Sequence, residues 1–205
     1  MSEARKARLG VLLSGRGSNF IAIADAIANG SLTGCEIAVV LSNIADAPGL
    51  AAAQQRGLAT EVHVSKGVPR AEHDAKMIAA LNAHEIDLVI LAGYMRVLSP
   101  EFIRAFPDRI LNIHPSLLPS FPGLHAQKQA LDYGAKVAGC TVHFVDEAVD
   151  HGVIILQSVV PVEDTDDEAT LSARILEQEH QAYTEAIARV LSGQYRAEGR
   201  RYRLS

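Results

Sequence analysis

The sequence predicts an α/β domain: a mostly parallel, doubly wound sheet with antiparallel strands added late in the chain. Three observations predict it. Short apolar runs alternate with helix-length amphipathic segments through the first two thirds of the 205 residues, the signature of βαβ units with right-handed crossovers. Most of these runs end at glycine, serine or other turn-forming residues. Two alternating runs, residues 137–145 and 153–160, are joined by DEAVDHG, a connection of hairpin scale.

The elements follow in order. Residues 9–13 are an apolar run closed by Ser14-Gly15 and read as a buried strand. Ser18 and Asn19 are placed to cap a helix whose apolar face is Ile21, Ile23, Ala24 and Ile27. Residues 37–41 form a second strand, 47–56 a helix closed by Gly57, and 60–64 a short strand. Pro69 opens a helix that runs to about His84. A strand at 88–91 ends in Ala92-Gly93, and a short helix at 100–106 precedes a strand at 110–113. Proline lacks a backbone donor and fixes φ, so Pro115, Pro119 and Pro122 make NIHPSLLPSFPGLHA a rigid loop after that strand. A helix at 125–132, the two late strands and a long helix over about 167–192 complete the pattern. No Pro/Gly/Ser-rich linker interrupts it, so residues 1–205 read as one domain. Its ordered core spans about 8–192, and a basic, solvated tail spans about 193–205, with Arg196, Arg200, Arg201 and Arg203.

Composition narrows the function. The chain is 48% hydrophobic and 21% charged, with net charge −5, which gives no electrostatic support for nucleic-acid binding. The apolar run near the start is too short for a signal peptide or a membrane span. Cys35 and Cys140 lie far apart without metal spacing, as suits free thiols in a reducing cytoplasm. His84-Glu85 is followed by Ile86, Asp87 and Leu88, so there is no HExxH. His114, His125, His143 and His151 show no ligand spacing. No metal is expected.

Four places can carry chemistry. SGRGSN, residues 14–19, lies between a strand and a helix, where a glycine-rich turn and a helix N-terminus suit a phosphate. Position 20 is Phe20 rather than a third glycine, and no Lys-Ser/Thr follows, so neither a dinucleotide fingerprint nor a P-loop is present. A plain turn with a helix cap is the alternative. Asn112 and His114 sit two apart on a strand and so share a side. An amide beside an imidazole suits a developing oxyanion, against the alternative of a turn Asn and a structural His at an exposed strand end. Asp150, before His151-Gly152, is placed to pair with an imidazole and favour its charged form, or is only a turn Asp. Glu179 falls on the apolar arc of the last helix with Leu171, Ile175, Tyr183 and Ile187. A carboxylate there needs a partner, in a structural ion pair or a ligand.

SGRGSN, LAGYMRVLSP, NIHPSLLPSFPGLHA and TVHFVDEAVDHGVIILQ together resemble the phosphoribosylglycinamide formyltransferase family, in the family's order and spacing, from Leu9 to about Val190. The resemblance implies a Rossmann-like formyltransferase fold. It also implies transfer of a formyl group from 10-formyltetrahydrofolate, as co-substrate, to the amine of glycinamide ribonucleotide in cytoplasmic purine synthesis. It makes Asn112, His114 and Asp150 the catalytic residues. Gly17, Ser18, Asn19 and Glu179 become nucleotide contacts. Arg70, Met95, Arg96, Val97, Leu98, Asp146, Glu147, Ala148 and Val149 become folate contacts. The partners implied are these two small molecules, with no nucleic acid or membrane, for a monomer or homodimer. Arg16 is a mild departure inside the glycine loop. A formyltetrahydrofolate hydrolase would need neither the phosphate loop nor Glu179. A non-catalytic nucleotide-binding module would not need Asn112, His114 and Asp150 together. A dehydrogenase is disfavoured by the missing third glycine and by a second strand that ends at Leu41-Ser42-Asn43 without a ribose-binding acid.

Overall fold

The computed structural model describes residues 5–205. Packing divides them into two compact units, one ending at Leu111 and the other Asn112–Ser205.

The first unit contains β1 (Ala7–Leu13), α1 (Ser18–Ala28), β2 (Cys35–Ser42), α2 (Pro48–Gln55), β3 (Thr60–Val62), α3 (Arg70–Ala83), β4 (Leu88–Leu91) and α4 (Pro100–Ala105). The strands are parallel in the order β3-β2-β1-β4. The chain therefore runs outward from β1 to β3, then returns to place β4 on the other side of β1. The C-terminal ends of β1 and β4 flank a topological switch point, where open α/β sheets place ligands. Leu9, Val11, Leu12, Leu13, Val89 and Ile90 are all buried, the unbroken apolar runs of strands covered on both faces. Phe20 and Ile23 of α1 and Met77 and Leu81 of α3 are also fully buried.

One local expectation is corrected. Neither Ser18 nor Asn19 caps α1. Gly17 is the N-cap, in the left-handed region at φ 67, with no side-chain cap hydrogen bond. A Cβ at Gly17 would stand 2.9 Å from Leu13 Cδ2, so the turn is too tight to leave a side chain in the capping position.

The second unit begins within β5 (Ile110–His114). It continues through α5 (Ala126–Tyr133), β6 (Val137–Phe144), β7 (Ile154–Pro161), α6 (Glu168–Leu191), β8 (Tyr195–Glu198) and β9 (Arg201–Leu204), with strand order β5-β6-β7-β9-β8. β6 and β7 are antiparallel, with a register shift at Val142/His143. Helix α6 opens with a reciprocal cap. Asp167 accepts from the Thr170 N–H at 2.8 Å, and the Thr170 hydroxyl accepts from the Asp167 N–H at 3.0 Å. Its Leu171, Ile175, Tyr183 and Ile187 are fully buried. The segment expected as a solvated tail is instead an ordered hairpin: β8 pairs antiparallel with β9, and β9 pairs with β7. Tyr195 stacks on Tyr202 at 5.6 Å, and Tyr202 meets the Phe144 ring at 5.5 Å. These aromatic contacts anchor a segment whose arginines alone suggest solvent.

Cys35 and Cys140 are free and buried. Burial, reinforced by the nearby Glu179 charge, pushes the Cys140 thiol up to about 12.

The proline-rich loop is held by side chains that replace the ladder bonds its prolines cannot make. Thr141 is fully buried. Its hydroxyl donates to the Ser116 carbonyl at 2.7 Å and accepts from the Leu118 N–H at 3.0 Å and the Gln157 amide at 2.9 Å. Gln157 also donates to the Leu118 carbonyl at 2.9 Å, and the Ser116 hydroxyl donates to the Ser120 carbonyl at 2.6 Å. The Leu118–Pro119 bond is cis. Thr141→Val keeps the shape and removes the hydroxyl, leaving buried groups without partners. It should destabilise the protein by about 2–3 kcal/mol in urea unfolding.

Candidate active site

The second unit brings Asn112, His114 and Asp150 together. His114 ends β5 and is only 5% exposed, which corrects the expectation of an exposed strand-end side chain. Acceptors enclose both of its ring nitrogens. Nε2 lies 2.9 Å from the Phe121 carbonyl, and Nδ1 lies 3.3 Å from Asp150 Oδ2. A carbonyl can only accept, so Nε2 carries a proton. The nitrogen that can trade a proton is therefore Nδ1, on the Asp150 side. Removing His114 would leave the Phe121 carbonyl and Asp150 short of a partner, so it would not spare the fold entirely.

Asp150 lies in the β6–β7 connection in the left-handed region, φ 51, with a side chain about 10% exposed. Its Oδ2 also accepts from the Gly123 N–H at 2.8 Å, and its Oδ1 lies 3.8 Å from His143 Nε2. Gly152 makes the return possible, because a Cβ there would stand 1.8 Å from the Phe144 carbonyl oxygen.

His143 is the functional residue that sequence reasoning missed, having weighed it only as a metal ligand. It is 1% exposed. Its Nδ1 lies 2.7 Å from the Phe144 carbonyl, so Nδ1 carries the proton and Nε2 presents a lone pair. That lone pair accepts from the Asn112 amide at 3.2 Å. His143 thus fixes which way the Asn112 amide faces and leaves its second N–H to donate elsewhere. The β6–β7 register shift falls at His143, and such irregularities re-aim side chains beside sites. Two features of the sequence could have singled it out: a histidine in an apolar strand, and its position just before DEAVDHG.

The remaining candidates in this unit are distributed as follows. Asp146 accepts from the Ala148 N–H at 3.0 Å and from His151 Nδ1 at 2.8 Å. Glu147, Ala148 and Val149 are exposed, and Glu179 is buried on α6, 7% exposed. His125 is exposed and His151 pairs with Asp146. Among the described residues, no group of three or more His, Cys, Asp or Glu could hold a metal ion, and no helix is long and apolar enough to cross a membrane.

In the first unit, Gly17, Ser18 and Asn19 form the N-terminus of α1, whose first N–H groups have no side-chain cap. An N-terminus without a side-chain cap and the helix dipole suit an anion. A polar chain ties the strand ends together. The Ser14 hydroxyl donates to Asn43 Oδ1 at 2.6 Å and accepts from the Met95 N–H at 2.9 Å. The Asn43 amide donates to the Ser65 hydroxyl at 3.0 Å, and Arg96 reaches the Ser65 carbonyl at 3.4 Å. Met95 and Val97 are 68% and 54% exposed, whereas Leu98 is buried. Arg70 opens α3 and is exposed.

A family model described as Formyl transferase matches residues 7–187. The phosphoribosylglycinamide formyltransferase of Escherichia coli is 44% identical over 179 residues, 87% of this chain and 84% of that protein. The chain belongs to the phosphoribosylglycinamide formyltransferase family. A family member of known structure, glycinamide ribonucleotide transformylase 1 from Symbiobacterium toebii, superposes with a TM-score of 0.94 at 49% identity, covering 97% of this chain and 94% of that one. The trifunctional purine biosynthetic protein adenosine-3 of Drosophila melanogaster is 46% identical over 196 residues. These are 94% of this chain but only 14% of that protein's length.

Burial lowers the His143 pKa from its ordinary 6.5, despite the opposing Phe144 carbonyl and Asp150. The unfolded chain therefore binds a proton that the folded state refuses. Stability is full above about pH 6.5 and falls as pH drops below it, by at most about 1.4 kcal/mol per pH unit from this one group. Urea unfolding between pH 7.5 and 5 should show that loss, and His143→Gln should flatten it.

Proposed function

We propose that this chain transfers the formyl group of 10-formyltetrahydrofolate to the amine of glycinamide ribonucleotide, yielding formylglycinamide ribonucleotide and tetrahydrofolate in purine synthesis. The observation that carries this reading is the buried Asn112–His143–Asp150–His114 cluster. A binding module has no use for such a cluster, and a formyl transfer needs it.

The amine nitrogen attacks the formyl carbon, and negative charge grows on the formyl oxygen. The second Asn112 N–H and the His114 Nδ1–H donate to that oxygen, and one such donor is worth about 10² to 10³ in rate. Asp150 orients His114 and stabilises its charged form. As the bond to folate N10 breaks, His114 Nδ1 gives its proton to N10, and the proton lost by the attacking amine refills Nδ1, directly or through an Asp150-bound water. The rigid 115–125 loop keeps His114 in place beforehand, so little reorganisation accompanies the reaction.

The reading assigns the nucleotide to Gly17, Ser18, Asn19 and Glu179. The uncapped α1 N-terminus supports the first three, and Glu179's burial on α6 supports a role beyond solvation. It assigns folate to Arg70, to Met95, Arg96, Val97 and Leu98, and to Asp146, Glu147, Ala148 and Val149. The exposure of Met95 and Val97 in the first unit, and separately of Val149 in the second, supports the reading of each as an apolar contact for an aromatic co-substrate. The family model runs through both units, which supports reading the chain as a single formyltransferase domain. Free, buried cysteines suit a reducing cytoplasm, where we place the reaction.

Purified protein mixed with glycinamide ribonucleotide and a 10-formyl folate should deformylate the folate only when the nucleotide is present. Deformylation without the nucleotide would point to a hydrolase. Asp150→Asn should cut kcat by about 10² or more while changing nucleotide affinity little. Equal losses in both would remove Asp150 from the chemistry.

A further inference from the structure

The β8–β9 hairpin lies beyond residue 187, where the family match ends, yet it touches the connection that carries Asp150 in three places. At the start of that connection, the Tyr202 ring meets Phe144, the last residue of β6, at 5.5 Å. At its end, Arg201 of β9 pairs with Ile154, the first residue of β7. In between, Arg200, at the hairpin turn, donates from Nη1 to His151 Nε2 at 3.1 Å and from Nη2 to the His151 carbonyl.

The middle contact has a direction. His151 Nδ1 lies 2.8 Å from the Asp146 carboxylate, which also accepts from the Ala148 N–H. Nδ1 therefore holds the His151 proton and Nε2 accepts from Arg200. The chain Arg200→His151→Asp146 closes the connection on itself with every donor matched to an acceptor. Asp150 is the neighbour of His151 and is held at φ 51, a backbone region that non-glycine residues enter at a cost. Something must hold it there, and the Gly123 N–H bond to its carboxylate fixes the side chain rather than the backbone.

We propose that Arg200 is a positioning residue, and that the C-terminal hairpin braces residues 146–152 in the conformation that aims Asp150 at His114. The kinetic part of this inference rests on the formyl-transfer reading; the structural part does not. Exposed polar contacts of this kind contribute little to global stability. The effect therefore belongs in the population of the aimed loop rather than in the unfolding midpoint.

The test is Arg200→Ala beside Arg200→Lys, in the full chain, by two readouts. Hydrogen exchange should accelerate about tenfold in residues 147–152 of Arg200→Ala and stay unchanged in α6. Its kcat should fall about tenfold, with nucleotide KM within about twofold, and Arg200→Lys, which keeps a donor for the His151 carbonyl, should recover most of that loss. Unchanged exchange in the loop overturns the proposal, whatever the activity. Faster exchange throughout α6 also overturns it, by making the hairpin a general stabiliser. If the wild-type protein transfers no formyl group, the functional reading fails, and loop-confined exchange still upholds the brace.

Discussion

The second unit is organised around one carboxylate held almost out of water, that of Asp150. Asp150 has two partners of different kinds, a backbone N–H from Gly123 and the His114 ring, while the His143 ring stands farther off with its bare nitrogen engaged by Asn112. A buried anion is tolerable only when its surroundings match it. Each neighbour needs its own support. The Gly123 donor needs the 115–125 loop fixed, the loop needs the Thr141 hydroxyl, and His143 needs the irregularity in β6.

The first unit solves a different problem with similar means. Parallel strands end in loops with no ladder to organise them, and here a chain of short polar side chains does so. Ser14, Asn43 and Ser65 come from the ends of β1, β2 and β3, and they tie in the backbone after β4. Short side chains lose little conformational entropy on ordering, so loops built this way are preorganised. The α1 N-terminus beside Ser14 has no side-chain cap, because its N-cap is Gly17.

The sequence was legible where one residue type implies one local structure. Apolar runs located the strands to within a residue or two, and Pro69 and Gly57 marked helix boundaries because their backbone constraints act locally. Alternation placed Asn112 and His114 on one side of a strand, and helical spacing put Glu179 among Leu171, Ile175 and Tyr183, where it is buried. What escaped depended on partners far along the chain. His114 looked exposed because its cover comes from Phe121 and Asp150. His143 was weighed only as a metal ligand, because its Asn112 contact and the register shift that aims it cannot be read from one strand without the other. The arginines after residue 195 looked like a tail because the Phe144–Tyr202 contact links residues 58 positions apart, read from their numbers.

The buried thiols have a chemical corollary. Thiolate, rather than thiol, reacts with peroxide, disulfides and alkylating agents. Cys140 is held as the thiol by burial and by the Glu179 charge, and Cys35 is shifted the same way chiefly by burial. Cys140 adjoins Thr141, which holds the proline-rich loop, so a modified sulfur there would disturb that loop. Burial thus keeps that sulfur in its less reactive thiol form in the native protein, and unfolding exposes it.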